Sequence, residues 1–130
     1  YLVEAFDLNS VPAMIRKKAE VIGQLAFEGL ELAIKEQVPI AYGTDASVIP
    51  HGDNGRQFAV LVNHGMSPIG AIRSATLNAA ELLGVKDRGR ISPGLRADII
   101  AVAGNPLQDI KTLESVQFVM KEGRVFSPSQ

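Results

Sequence analysis

Apolar positions in this chain fall into two textures that meet near Val85. In the first, Ile15, Ala19, Ile22, Ala26, Leu30 and Ala33 recur at three- and four-residue intervals, with Arg16, Lys17, Lys18, Glu20, Glu28, Glu31, Lys35 and Glu36 on the other faces. That spacing predicts a long amphipathic helix over residues 11–37 with one side against a core. Ser10 and Pro12 supply a start signal and Pro39 a stop. Residues 39–43 then read as a short buried strand running into Thr44 and Asp45. Residues 46–55, rich in Gly, Pro, Asp, Asn and His, read as a loop. Three shorter helices follow: one over residues 56–63 with Gly65 near its end, one opened by Ser67-Pro68, and one with Asn78 and Glu81 spaced as a capping box and Gly84 as its stop. Beyond Val85 the pattern becomes β-rich. Residues 97–102 and 116–120 are strand-like, and Lys121-Glu122-Gly123 is a tight turn into Arg124-Val125-Phe126. We therefore expect two units, residues 1–85 and 86–130.

Composition narrows the classes. Of 130 residues, 46% are hydrophobic and 21% charged, which suits a packed globular core. A formal net charge of −1 offers no electrostatic footprint for nucleic acid or an anionic membrane. Residues 67–85 have the outline of a helix-turn-helix, but its second helix carries Glu81 and neither Lys nor Arg, so phosphate binding has no support. Without cysteine, disulfides, thiolate zinc sites and thiol catalysis are excluded together, and a reducing, cytoplasmic setting is expected. No apolar run approaches the roughly 20 residues needed to span a bilayer. The opening Tyr1-Leu2-Val3 reads as though cut from something longer.

Chemistry concentrates after the short strand. A polar residue at the carboxyl tip of a strand in an α/β repeat commonly points into an active site. Asp45 could ligate a metal or accept a proton there, or it could cap a turn or helix, the commoner role of an aspartate at a loop start. His51, in Pro50-His51-Gly52-Asp53-Asn54, is either a substrate contact or a surface loop histidine. Asp45, His51 and Asp53 match no metal-ligand spacing, which argues against a self-contained site. His64, near a helix carboxyl end, suits the helix dipole. Serine elbows, P-loops, GxGxxG and HExxH are absent.

Three stretches together resemble the amidohydrolase superfamily, within it the Xaa-Pro dipeptidase and imidazolonepropionase-like branch. They are Ile40-Ala41-Tyr42-Gly43-Thr44-Asp45; Ser67-Pro68-Ile69 with Ala71-Ile72 and residues 75–84; and residues 89–100, Gly89 to Ile100, followed by Gly104-Asn105-Pro106-Leu107 and the final hairpin. The resemblance implies an α/β fold: the C-terminal part of a metal-dependent (β/α)8 barrel plus strands of a small composite β-sandwich. It implies hydrolysis of an amide C–N bond, in a dipeptide or N-acyl amino acid, with a cyclic amide or imidazolone as the rival substrate class. Asp45 would then be both metal ligand and proton shuttle for a metal-activated water, and His51 a substrate contact. The cofactor implied is a divalent metal, zinc, binuclear in the complete enzyme. The family's His-x-His, bridging lysine and further histidines have no counterpart here, and Lys17, Lys18 and Lys35 lie on a helix, not at a strand end. A chain of this content is expected to be inactive alone and to hold no metal by itself. The implied partners are a small amide or dipeptide and a second copy associating through an exposed barrel edge.

Overall fold

The structure, a computed structural model, describes residues 12–45 and 52–126. Helix α1, Ala13–Lys35, falls inside the range that the periodicity predicts. It ends before Pro39 is reached. Gln37 adopts φ +57°, its N–H donates to Ile34 O at 3.1 Å, and Val38 N–H donates back to Ala33 O at 2.9 Å. This is a Schellman closure in which glutamine takes the left-handed position usually given to glycine. Helices α2 (Arg56–Asn63) and α4 (Leu77–Leu82) close the same way, through Gly65 and Gly84, with Met66 N–H on Leu61 O and Val85 N–H on Ala80 O, each at 3.0 Å. Helix α3, Pro68–Ser74, opens as expected: the Ser67 hydroxyl accepts Gly70 N–H at 3.1 Å, and Pro68 occupies the first turn.

Two local expectations are corrected. Asn78 does not build a capping box. Thr76 is the residue before α4 and makes no side-chain cap, while the Asn78 amide donates to Ile40 O at 2.9 Å. Residues 39–43 do not form a β-strand, because no described strand lies beside them to complete a ladder. Their backbone is held otherwise: Tyr42 N–H donates to Ser74 O at 2.9 Å.

The core gathers where α2 and α3 meet a short 3-10 helix, Ile110–Glu114, that the hydrophobic pattern does not reveal. Leu61, Ala71 and Ile110 are its buried centre, with Leu30, Tyr42, Phe58 and Leu113 packed around them. Ser74 is fully buried, and its hydroxyl donates to Ala71 O at 2.7 Å, so it carries no unsatisfied polar group into the interior. The face of α1 expected to pack on this core does so through Leu30, whereas Ile22 is 52% exposed. No helix among the described residues is long and apolar enough to cross a membrane.

The later strands form an antiparallel sheet in the order β1-β2-β3: Ile99–Val102, Val116–Lys121 and Arg124–Phe126. The register between β1 and β2 shifts between Ala101 and Val102, and β2 turns into β3 through Glu122 and Gly123, both at positive φ. Two consecutive left-handed residues give the turn whose twist matches that of the flanking strands. A chain of charges ties this hairpin to the segment before β1. Arg96 pairs with both Asp87 and Glu122, Arg88 Nε donates to Asp87 at 2.9 Å, and Asp98 accepts from Lys121 Nζ at 2.7 Å and from Glu122 N–H at 2.8 Å. The Arg88 and Arg96 guanidiniums hold the Asp87 carboxyl at about 2, well below its usual range. Helix α2 is seated on the later part of the chain by a close approach: a Cβ on Gly55 would stand 2.8 Å from Leu113 O and 3.2 Å from Glu114 Cα.

Gly55 has φ −58°, a conformation alanine adopts freely. On backbone entropy alone Gly55→Ala should stabilise by about 0.4–1 kcal/mol. The Leu113 carbonyl reverses that, and we predict a net loss of about 1–3 kcal/mol in urea unfolding, as for an overpacked site. The Asp87 carboxylate contributes stability that is fully present above its unfolded value near 4 and is lost as pH falls through about 2. Asp87→Asn should therefore flatten the fall in unfolding free energy between those limits. Because the pair is exposed, added salt should shrink the difference between the two proteins.

Candidate functional site

Asp45 ends the irregular segment that follows α1. It is exposed and sits at φ +46°, a left-handed conformation in which aspartate is one of the few tolerated side chains. Such a backbone is found in turns and, more tellingly, at functional sites that the surrounding structure must hold in place. The carboxylate makes no hydrogen bond among the described residues, so the cap that a loop-start aspartate usually provides is not seen there.

The segment leading to Asp45 is moored by side chains from several helices. Asn78 of α4 binds Ile40 O, Ser74 O of α3 takes Tyr42 N–H, and Gln57 Nε2 of α2 donates to Gly43 O at 3.3 Å. The Tyr42 ring stacks on Phe58 with centroids 4.4 Å apart, and its hydroxyl donates to the Asn54 carbonyl. Asn54 also reaches back with its amide: Nδ2 donates to Thr44 Oγ1 at 3.0 Å. Asn54 lies in a 3-10 turn, Asp53–Gly55, that runs directly into α2, and its Oδ1 accepts Gly52 N–H at 3.3 Å. Tyr42, Asn54, Gln57 and Asn78 are thus the residues that shape the site; the sequence motifs include Tyr42, Asn54 and Asn78 without marking these roles, and leave out Gln57. The nearest signal is the Asn54-Gly55 pair, a turn dipeptide.

The other sequence candidates separate. His51 lies outside the described residues. Asp53 stands 3.8 Å from Arg56 Nη1 in a loose exposed pair. His64 is structural: its Nδ1 lies 2.8 Å from Glu31 Oε1, and its ring stacks on Phe27 at 4.2 Å, joining α2 to α1. Among the described residues no three His, Cys, Asp or Glu side chains gather to hold a metal ion. Hydrolytic zinc sites take three protein ligands. No such group is formed by the described residues, so they do not make a complete metal site and no catalytic step is assigned through a metal here.

An open apolar cleft of about 570 Å³ lies elsewhere, between the helices and β1, lined by Phe58, Ile72, Ala79, Leu83, Ile99 and Val102 among others. Asp45 does not line it; Phe58, which stacks on Tyr42, does, and Thr76, Arg88, Arg90 and Asp98 are the polar groups at its wall.

Comparison with known proteins places this geometry in a lineage. The structure superposes with a TM-score of 0.84 on a Xaa-Pro dipeptidase crystallised with methionine in its active site, at 42% identity over 90% of this chain and 29% of that one. The crystal structure of Aspergillus niger ochratoxinase gives a TM-score of 0.82 at 30% identity, covering 98% of this chain and 31% of that chain. In sequence, A. niger ochratoxinase is 31% identical over 134 residues, 96% of this chain and 28% of the relative. A shorter match, 52% over 50 residues, joins 38% of this chain to 8% of adenine deaminase 2 from Desulfotalea psychrophila. The chain spans under a third of the length of each of these relatives. The amidohydrolase family pattern matches residues 1–126, nearly the whole sequence, and the chain belongs to the amidohydrolase family.

Proposed function

We propose that this chain is a catalytically incomplete part of a metal-dependent amidohydrolase that cleaves an amide-like C–N bond. It contributes one carboxylate, Asp45, to a metal centre whose remaining ligands lie on other parts of the enzyme. The observation that carries the reading is the pairing of a solitary exposed aspartate, in a left-handed backbone at the end of a moored segment, with the absence of any three-ligand group among the described residues. Coverage of 29% of the Xaa-Pro dipeptidase chain leaves room for further ligands on other parts of such an enzyme. A dipeptide is the substrate class that this relative's name favours, and His51 is the residue we assign to contact it. In the complete enzyme the described helices would close one side of a (β/α)8 barrel, and residues 86–130 would join its small β-sandwich. A bound divalent metal would there lower the pKa of its water and polarise the scissile carbonyl.

A second reading is favoured by a separate observation. Leu83 and Ile91, 73% and 84% exposed, line the open apolar cleft beside β1, a surface that suits assembly with further protein. On that reading the chain acts in structure alone.

Metal content and dipeptide hydrolysis should be measured on this chain and on a chimera in which it replaces the matching segment of the Xaa-Pro dipeptidase. We predict neither stoichiometric zinc nor turnover from the chain alone. The chimera should hydrolyse dipeptides and lose on the order of 10²-fold or more in kcat on Asp45→Asn, the scale seen when one preorganised charged group is removed. Metal-dependent hydrolysis by the chain alone, abolished by Asp45→Asn, would show that it builds a whole site. A chimera indifferent to Asp45→Asn would remove Asp45 from the chemistry.

A further inference from the structure

We propose that Asn54 is a positioning residue for Asp45, and that it links the site to the later part of the chain. The proposal rests on the reading of Asp45 as the working carboxylate. Asn54 bridges two alternate residues of the segment leading to Asp45: its carbonyl accepts the Tyr42 hydroxyl, and its amide donates to Thr44 Oγ1 at 3.0 Å. The side chains of Tyr42 and Thr44 both meet Asn54, so two contacts from one partner fix both the position and the rotation of the segment. Asp45 follows at once, and its left-handed φ turns the backbone away from the segment. A left-handed single residue is unfavourable without support, and the described residues give Asp45 no bond of its own. What sets its geometry is the clamp on the residue before it.

The clamp is itself anchored. Asn54 sits beside Gly55, whose Cα face lies against the backbone of Leu113 and Glu114 with no room for a methyl group. Leu113 belongs to the 3-10 helix Ile110–Glu114, packed into the core beside Leu61 and Ala71. A continuous path of contacts therefore runs from the segment between β1 and β2, through Gly55 and Asn54, to Thr44 and Asp45. The Gly52 N–H on Asn54 Oδ1 uses the other end of the amide and fixes which way it faces.

The test has two readouts. In the 130-residue chain, the Asp45 Cα and Cβ chemical shifts report the left-handed backbone by NMR. Thr44→Val removes the acceptor at nearly constant shape, Asn54→Ala removes the donor, and Thr44→Ser restores the hydroxyl. We expect the left-handed signature of Asp45 to be lost in the first two and kept in the third. Unchanged Asp45 shifts in Thr44→Val and Asn54→Ala would overturn the proposal, and Thr44→Val decides the matter if Asn54→Ala fails to fold. In the dipeptidase chimera, Asn54→Ala should lower kcat by on the order of 10²-fold, as for a small misplacement of a reacting group, with KM little changed. Full kcat in that variant, where Asp45→Asn destroys activity, would also overturn it. A chimera that tolerates Asp45→Asn overturns the catalytic reading instead, while the shifts still report whether the bridge holds Asp45.

Discussion

Residues 38–44 must be held in place without a neighbouring described strand to pair with, and the rest of the arrangement follows from that constraint. An unpaired segment leaves backbone donors and acceptors that must bond elsewhere or to water. Here the partners are side chains and a helix end: Asn78 for Ile40 O, Ser74 O for Tyr42 N–H, Gln57 for Gly43 O. These come from α4, α3 and α2, so the segment keeps its place only if all three helices keep theirs.

The helices are fixed by closures that need little from their neighbours. Three of the four described α-helices end in the same Schellman geometry, with Gln37, Gly65 and Gly84 at the left-handed position. That economy leaves the side chains of α2, α3 and α4 to address the segment. The later part of the chain contributes Ile110 and Leu113 to the core beside Leu61 and Ala71, lies against Gly55 at Leu113 and Glu114, and ties its hairpin through the exposed charges of Asp87, Arg96, Asp98 and Glu122. Exposed pairs of this kind contribute little individually, so their effect lies in fixing the hairpin's register beside residues 87–98 more than in stability.

Local signals were the legible ones. The Ser67-Pro68 start, the span of α2, the Gly84 stop and the turn at Glu122-Gly123 each depend on residues within four positions of one another. Asn78 shows where such reasoning fails: its spacing from Glu81 suggests a cap, yet its amide serves Ile40, 38 residues earlier. The 3-10 helix Ile110–Glu114 escaped notice because it is too short for periodicity. Its sequence cue is Asp109, whose side chain accepts Lys111 N–H at 3.0 Å. Asp45 could be singled out by position after an apolar run, but its left-handed backbone and its dependence on Asn54 are set by contacts distant in sequence. The apolar composition of residues 39–43 suggests a strand, but a strand is a relation between two backbones, and one sequence segment specifies half of it.

Amide hydrogen exchange across residues 38–45 probes this account most directly. If side chains and helix ends hold the segment, the Tyr42 amide, bonded to Ser74 O, should be strongly protected, while the Ile40 and Thr44 amides, which have no described acceptor, exchange quickly. Exchange should also quicken at Tyr42 when Asn78→Ala releases Ile40. Uniformly fast exchange from residue 38 to 45, or a Tyr42 amide indifferent to Asn78→Ala, would contradict it.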